Sequence, residues 1–174
     1  MKKILSLVAM LVITLGASAQ FEYKKTYLAA GVNNLDMSYN GQKKFSFGVD
    51  AMAGKFIYDN MLLYLKGGYK HEGKTEINDF NAGIGLRYYI LQNGLFLGAS
   101  ASYVHGTKSY NDLKPAVELG YCFFISREIT IEPKIYYEQS FKRHSDFSTV
   151  GIGVNFGIYL PNGKLTKSIT DAFE

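Results

Sequence analysis

Cysteine is almost missing from this chain of 174 residues: Cys122 stands alone, proline occurs three times and tryptophan not at all. A single cysteine excludes an intramolecular disulfide and has no metal-ligand spacing, so the fold must hold itself together without either. Cys122, in the middle of a predicted strand, is therefore read as packing. Charge of one sign is also lacking. The net charge of +4 is mild and spread along the chain, which offers nucleic acid no basic patch. Mean hydropathy is close to zero, which excludes a bundle of membrane helices but not a membrane barrel, whose strands are only half apolar. Beyond the N-terminal segment no stretch has a helical period, with room for short structure only in the last dozen residues. What is abundant is glycine (18), tyrosine (14) and phenylalanine (12), and the aromatics favour β-structure.

The N-terminus has an address. Lys2 and Lys3 form a basic start, Ile4 to Gly16 is an apolar run, and Ala17-Ser18-Ala19 ends it. These are the three regions of a secretory signal peptide, with cleavage predicted before Gln20. The competing reading, a spanning helix, requires about 20 apolar residues. Without Lys2 and Lys3, 17 basic residues remain against 15 acidic ones, so the mature chain is nearly neutral. No cysteine adjoins the site to carry a lipid anchor.

From Tyr27 onward, period-two segments alternate with turns. Strands are predicted at 26–39, 44–58, 61–71, 79–91, 95–105, 113–125, 129–141 and 147–160. The connections at 59–60, 92–94 and 126–128 are tight; those at 40–43, 72–78, 106–112 and 142–146 are longer and hold most of the loop charge. In an up-and-down meander, short turns and both termini share one end and the longer loops share the other, which is the asymmetry of outer-membrane barrels.

The two faces of each strand differ in kind. One collects Val49, Leu63, Leu65, Phe80, Ile84, Leu97, Val117, Leu119, Ile131 and Ile135, and ends in Val150, Ile152, Val154, Phe156, Ile158 and Leu160. Its only charge is Lys55, close enough to a turn to snorkel. The other face holds glycines (Gly48, Gly68, Gly85, Gly98, Gly120, Gly151, Gly153 and Gly157 among them) together with Asp50, Lys66, Arg87, Glu118, Glu132, Lys134 and Glu138. Glycine on a water-exposed sheet face packs nothing and weakens the strand, whereas a narrow barrel needs small residues where side chains from all strands converge. A charge on a lipid-facing surface costs roughly 2–4 kcal/mol at the bilayer midplane. The aliphatic face is thus assigned to lipid and the charged face to the lumen. A soluble sandwich or lipocalin-like barrel with Val and Ile inside is the opposing reading. Aromatics near strand ends (Phe45, Tyr69, Phe80, Tyr103, Phe141) suit an interfacial belt. Pro115 and Pro133 each remove a ladder donor and predict a bulge or strand end.

The seven inward charges are predicted to form a salt-bridge and hydrogen-bond plug. Glu118 should face Lys134 or Tyr136, and Asp50 should lie near Lys66 or Lys70. His71, His105 and His144 all fall at the loop end, where separate rim histidines are read as solvated residues rather than a metal site. Neither catalytic residues nor cofactor or metal ligands are assigned.

With these residues in view, the chain resembles the small outer-membrane β-barrel domain family of Gram-negative bacteria, the eight-stranded porin-family proteins similar to OmpX and the OmpA membrane domain. The resemblance runs from Tyr27 to Leu160 and rests on GKFIYDNMLLYLKGGY, GIGLRYYIL, ELGYCFFISREITIEPKIYY and VGIGVNFGIYL. It implies an all-β, eight-stranded antiparallel up-and-down barrel over 20–160, after a signal peptide at 1–19 and before a C-terminal tail at 161–174. It also implies recognition of the last strand by the barrel assembly machinery, for which Thr149, Gly151, Val154 and Phe156 have the spacing. Family members often end on an aromatic of the final strand, and here a tail follows instead. Some small barrels are lipid A hydrolases with an outward His and a Ser two residues on; His105-Gly106-Thr107 has the spacing but not the serine.

The expected function is structural or surface-interacting in the outer membrane, monomeric and non-catalytic, without cofactor. A narrow polar pore is the alternative and a lipid A-modifying enzyme a distant one. Expected partners are outer-membrane lipid and lipopolysaccharide, the latter through loop charges such as Lys43, Lys44, Lys74, Lys108, Lys142 and Arg143.

Overall fold

The structure is a computed structural model, and it describes residues 21–35, 46–72, 77–90, 94–106, 110–141 and 148–161. Nine strands follow one another: β1 (Thr26–Leu35), β2 (Ser46–Tyr58), β3 (Met61–Glu72), β4 (Ile77–Tyr89), β5 (Leu95–Gly106), β6 (Tyr110–Tyr121), β7 (Phe123–Phe124), β8 (Ile129–Glu138) and β9 (Thr149–Leu160). All pairings are antiparallel. The sheet runs β6-β5-β4-β3-β2-β1-β9-β8-β7, and β8 returns to β6, so it closes on itself. β6 and β7 are two parts of one stave, which makes an eight-stranded barrel. No helix among the described residues is long and apolar enough to cross a membrane, a statement that says nothing of strands.

The last strand closes against the first, as its pattern predicts: Tyr27 faces Tyr159, Ala29 faces Gly157 and Gly31 faces Asn155. Thr26 faces Leu160, so both ends of the barrel sequence share the end of the short turns. Asp59-Asn60 makes a tight connection in which Asn60 takes φ 65°, a left-handed backbone that asparagine tolerates better than most residues. At the third turn, the Ser126 hydroxyl accepts hydrogen bonds from the Glu128 and Ile129 amides at 3.3 and 3.2 Å.

Several details differ from the sequence expectation, the fourth strand spanning Ile77–Tyr89 rather than 79–91. The sixth stave starts at Tyr110 rather than 113, and the seventh ends at Glu138 rather than 141. Cys122 does not sit within a strand but at the break between β6 and β7. That break is caused across the ladder. Gly120 faces Lys134 and Phe123 faces Ile131 in one continuous register, so Tyr121 would face Pro133, whose ring nitrogen has no hydrogen to donate. Pro115 instead ends a ladder: pairing with β8 begins at Ala116, and the Pro115 carbonyl accepts from the Gln139 amide at 2.9 Å. The predicted strand ends at 36–39, 44–45 and 91 lie outside the described residues, as do Phe45 and the loop histidine His144.

Candidate functional site: the barrel lumen

Side chains alternate in and out along every stave. Val150, Phe156, Ile152 and Ile158 point outward and are exposed, Val154 and Leu160 point outward and are half-buried, and Gly151, Gly153, Asn155, Gly157 and Tyr159 between them are buried. Leu65, Phe80, Val117 and Ile135 are each more than half exposed. Outward aromatics gather near both ends, with Tyr69, Phe80 and Tyr103 toward the loops and Tyr58 and Tyr88 toward the turns. Phe80 and Tyr88 are eight residues apart on β4, which for a strand tilted by about 40° separates the two girdles by roughly 20 Å.

Arg87 occupies the centre of the lumen with no solvent exposure. Its Nε and Nη2 both donate to Glu118 Oε1, at 2.9 and 2.8 Å, and its Nη1 donates to Glu132 Oε2 at 2.8 Å. Its Cζ lies over the Phe96 ring, 4.0 Å from the centroid, a cation–π contact. Glu132 is equally enclosed. Its Oε2 also accepts from Tyr27 OH at 2.6 Å, and its Oε1 accepts from Thr130 Oγ1 at 2.8 Å and Tyr159 OH at 2.9 Å. Glu118 completes the chain by accepting from Lys134 Nζ through Oε2 at 3.1 Å. Two cations and two carboxylates thus neutralise one another out of water, with their hydrogen-bonding capacity largely used; charges buried this deeply persist only with such partners.

The other predicted lumen charges sit toward the loops. Lys66 Nζ lies 3.9 Å from Glu138 Oε1, a weaker pair in a wetter place. Asp50 faces Gly68 across the β2–β3 ladder, one row above the Met52–Lys66 pair, and hydrogen-bonds Asn81. Around these residues, with Ser102 and Lys114, is a small polar chamber of about 60 Å³, space for a few water molecules. All seven predicted charges therefore point inward. Arg87, Glu118, Glu132 and Lys134 form the most deeply buried cluster, and Asp50, Lys66 and Glu138 sit loop-side of it around the chamber that Glu118 and Lys134 also line.

Toward the turns the lumen is dry. Phe21, Tyr27, Phe56, Leu62, Tyr89, Phe96, Cys122 and Tyr159 form one buried cluster. Phe21 precedes the first strand and enters the barrel mouth, where its ring stacks on Tyr89 at 4.0 Å and meets Tyr159 edge-on at 5.7 Å. The segment is tied down on both sides: Asn60 N donates to Phe21 O at 2.8 Å and Tyr23 N to Asp59 Oδ1 at 2.9 Å. Cys122 packs here, its Sγ 3.4 Å from Tyr159 OH. Sequence reasoning missed this stopper, although Tyr27, Tyr64, Tyr89, Phe96 and Tyr159 share the parity of the charges. Phe21 has no strand parity to reveal it.

The lumen glycines make room for aromatic rings as much as for charge. An added Cβ would run into the Tyr64 ring at Gly85, the Tyr136 ring at Gly151 and the Phe96 ring at Gly120, and into Glu118 at Gly98. His105 points outward at the loop end, with Nδ1 2.6 Å from Asn111 Oδ1; Thr107 and the side chain of His71 lie outside the described residues.

No protein-family model matches this chain, and no curated protein matches it. Solved structures do. The N-terminal β-barrel domain of Pseudomonas aeruginosa OprF aligns over 79% of this chain and 98% of its own at 13% identity and TM-score 0.59. Ail of Yersinia pestis, in a phospholipid bilayer nanodisc, aligns over 79% and 99% at 10% identity and TM-score 0.55. Neisserial surface protein A aligns over 78% and 94% at 16% identity and TM-score 0.54. The fold is that of the small eight-stranded outer-membrane barrels.

Proposed function

We propose that this chain is an integral outer-membrane β-barrel protein of the Gram-negative envelope, with a structural or surface-interaction role and no catalysis. The observation that carries this reading is the inside-out distribution of polarity. Charges fill the lumen, while the outward strand face is a band of exposed aliphatics between two aromatic girdles. Soluble monomers rarely expose contiguous apolar patches beyond a few hundred Å², and lipid is the solvent that removes the penalty. Export follows from the signal peptide at 1–19, cleaved before Gln20, and insertion follows from recognition of β9 by the barrel assembly machinery. Loop cations that meet lipopolysaccharide phosphates would give the external end its surface contact. Fractionation with the outer membrane and a shift on gels between boiled and unboiled samples test the placement. A soluble periplasmic protein would overturn it.

The closed lumen supports a structural role over a pore. A solute crossing the turn half would have to displace Phe21 and the Tyr89–Tyr159 pair, whose hydroxyls are 2.9 Å apart, and then separate Arg87 from Glu132. The loop-side chamber is what favours the pore alternative. Planar-bilayer recording separates the two: no steady conductance is expected, and defined open levels would establish a pore. Lipid A from a deletion strain is expected to be unchanged; a change would bring back the enzyme reading.

A further inference from the structure

The outward surface is not evenly packed. Bulky side chains cover β8 and β9, whereas on β1 to β3 a row of small residues faces out in direct register: Ala30 opposite Ala51, and Ala51 opposite Gly67. With Ala53 below them they floor an apolar trough of about 830 Å³, walled by Leu65 on one side and Phe156 and Ile158 on the other. At its foot, two residues from Ala53 on the same strand face, stands Lys55. It is exposed, faces Thr26 across the ladder, and has no ion-pair partner among the described residues. Lys24 is exposed at the same end, its backbone held to the barrel by a bond from its amide to Phe56 O at 3.0 Å.

We propose that this trough seats one acyl chain of an anionic glycerophospholipid of the turn-side leaflet, with the lipid phosphate held at Lys55 and Lys24. The inference rests on the membrane reading above and adds a specific lipid to it. A cation on a lipid-facing surface is tolerated only where it reaches the interface, and there an anionic headgroup is its natural partner. From Lys55 to Ala51 the strand rises about 13 Å, so a chain hanging from a phosphate at Lys55 runs along the small residues. A second copy of this barrel fits less well. The described outward strand faces carry no carboxylate, so a partner barrel would bury Lys55 against apolar groups.

The test is native mass spectrometry of the folded barrel released from bilayers of equal phosphatidylglycerol and phosphatidylcholine. One phosphatidylglycerol should be retained per barrel in preference to phosphatidylcholine. Lys55→Gln should weaken that preference roughly five-fold. Gly67→Leu should abolish the retained lipid by filling the trough; a Cβ there meets nothing closer than Asn81 O at 3.9 Å, so folding is not compromised. Equal retention of the two lipids, unchanged retention in either variant, or a dimer that Gly67→Leu disrupts would overturn the proposal. A barrel that inserts but shows no preference overturns this inference alone, whereas one that fails to insert overturns the membrane reading with it.

Discussion

Arg87 and Glu132 meet through Nη1 and Oε2 at 2.8 Å, and neither side chain has any exposed surface. Removing one partner of such a pair leaves the other charged and out of water, at a cost of roughly 3–5 kcal/mol. Arg87→Met leaves Glu132 buried without its cation, while Glu118 keeps Lys134 at 3.1 Å, and should lower the unfolding free energy measured in urea by that amount, with a correspondingly lower midpoint. Lys66→Met is the comparison. Its partner Glu138 is 3.9 Å away with its side chain 29% exposed, so screening limits the loss to about 1 kcal/mol. Equal midpoints for the two variants would mean that the central network is not desolvated.

The stopper makes a second prediction. Phe21 is fully buried against four aromatic rings, and truncating a buried phenylalanine costs roughly 3–5 kcal/mol. Phe21→Ala should therefore lower the temperature at which the compact gel band converts to the unfolded one. Tyr23, two residues on and 55% exposed, should tolerate alanine with a change within about 0.5 kcal/mol. If the two substitutions behaved alike, the N-terminal segment would not be seated in the mouth.

Glycines on the two faces should respond in opposite ways. At Gly85 and Gly151 a Cβ would overlap the Tyr64 and Tyr136 rings, and overpacking of this kind costs about 1–3 kcal/mol. At Gly67, on the outside, the same Cβ has open space. Gly85→Val and Gly151→Val should reduce the folded fraction in a refolding assay while Gly67→Val leaves it unchanged. Loss of folding in all three would show that strand backbone geometry, not lumen crowding, selects glycine.

The strands and their faces were legible because a barrel wall imposes a strict period of two, and the inward charges on β2, β3, β4, β6 and β8 mark which parity faces the lumen. Glu118 facing Tyr136 and bonding Lys134 followed from the register of one hairpin. The aromatic stopper was not legible, because tyrosine suits both a lumen and an interfacial girdle, and hydropathy does not separate Tyr89 inside from Tyr88 outside. The break at Cys122 was hidden for a different reason. Nothing near Cys122 in sequence causes it; Pro133 does, from the neighbouring stave.

A series of arginines down β9 tests the membrane assignment most directly. Val154 lies at the middle of the strand, facing Val32 on one side and Pro133 on the other. Leu160 lies at its turn end, opposite Thr26. Both point outward, so in water the two positions would accept arginine about equally. In a bilayer they differ by depth: Val154→Arg should cost roughly 2–4 kcal/mol and Leu160→Arg about 0–1 kcal/mol. Lys55 is the chain's own precedent, a cation on the same face that also faces Thr26 at the turn end. Unfolding of both variants in lipid bilayers measures the difference directly. A gradient from the middle of the strand to its end is expected, and the absence of one would remove lipid from the outward face.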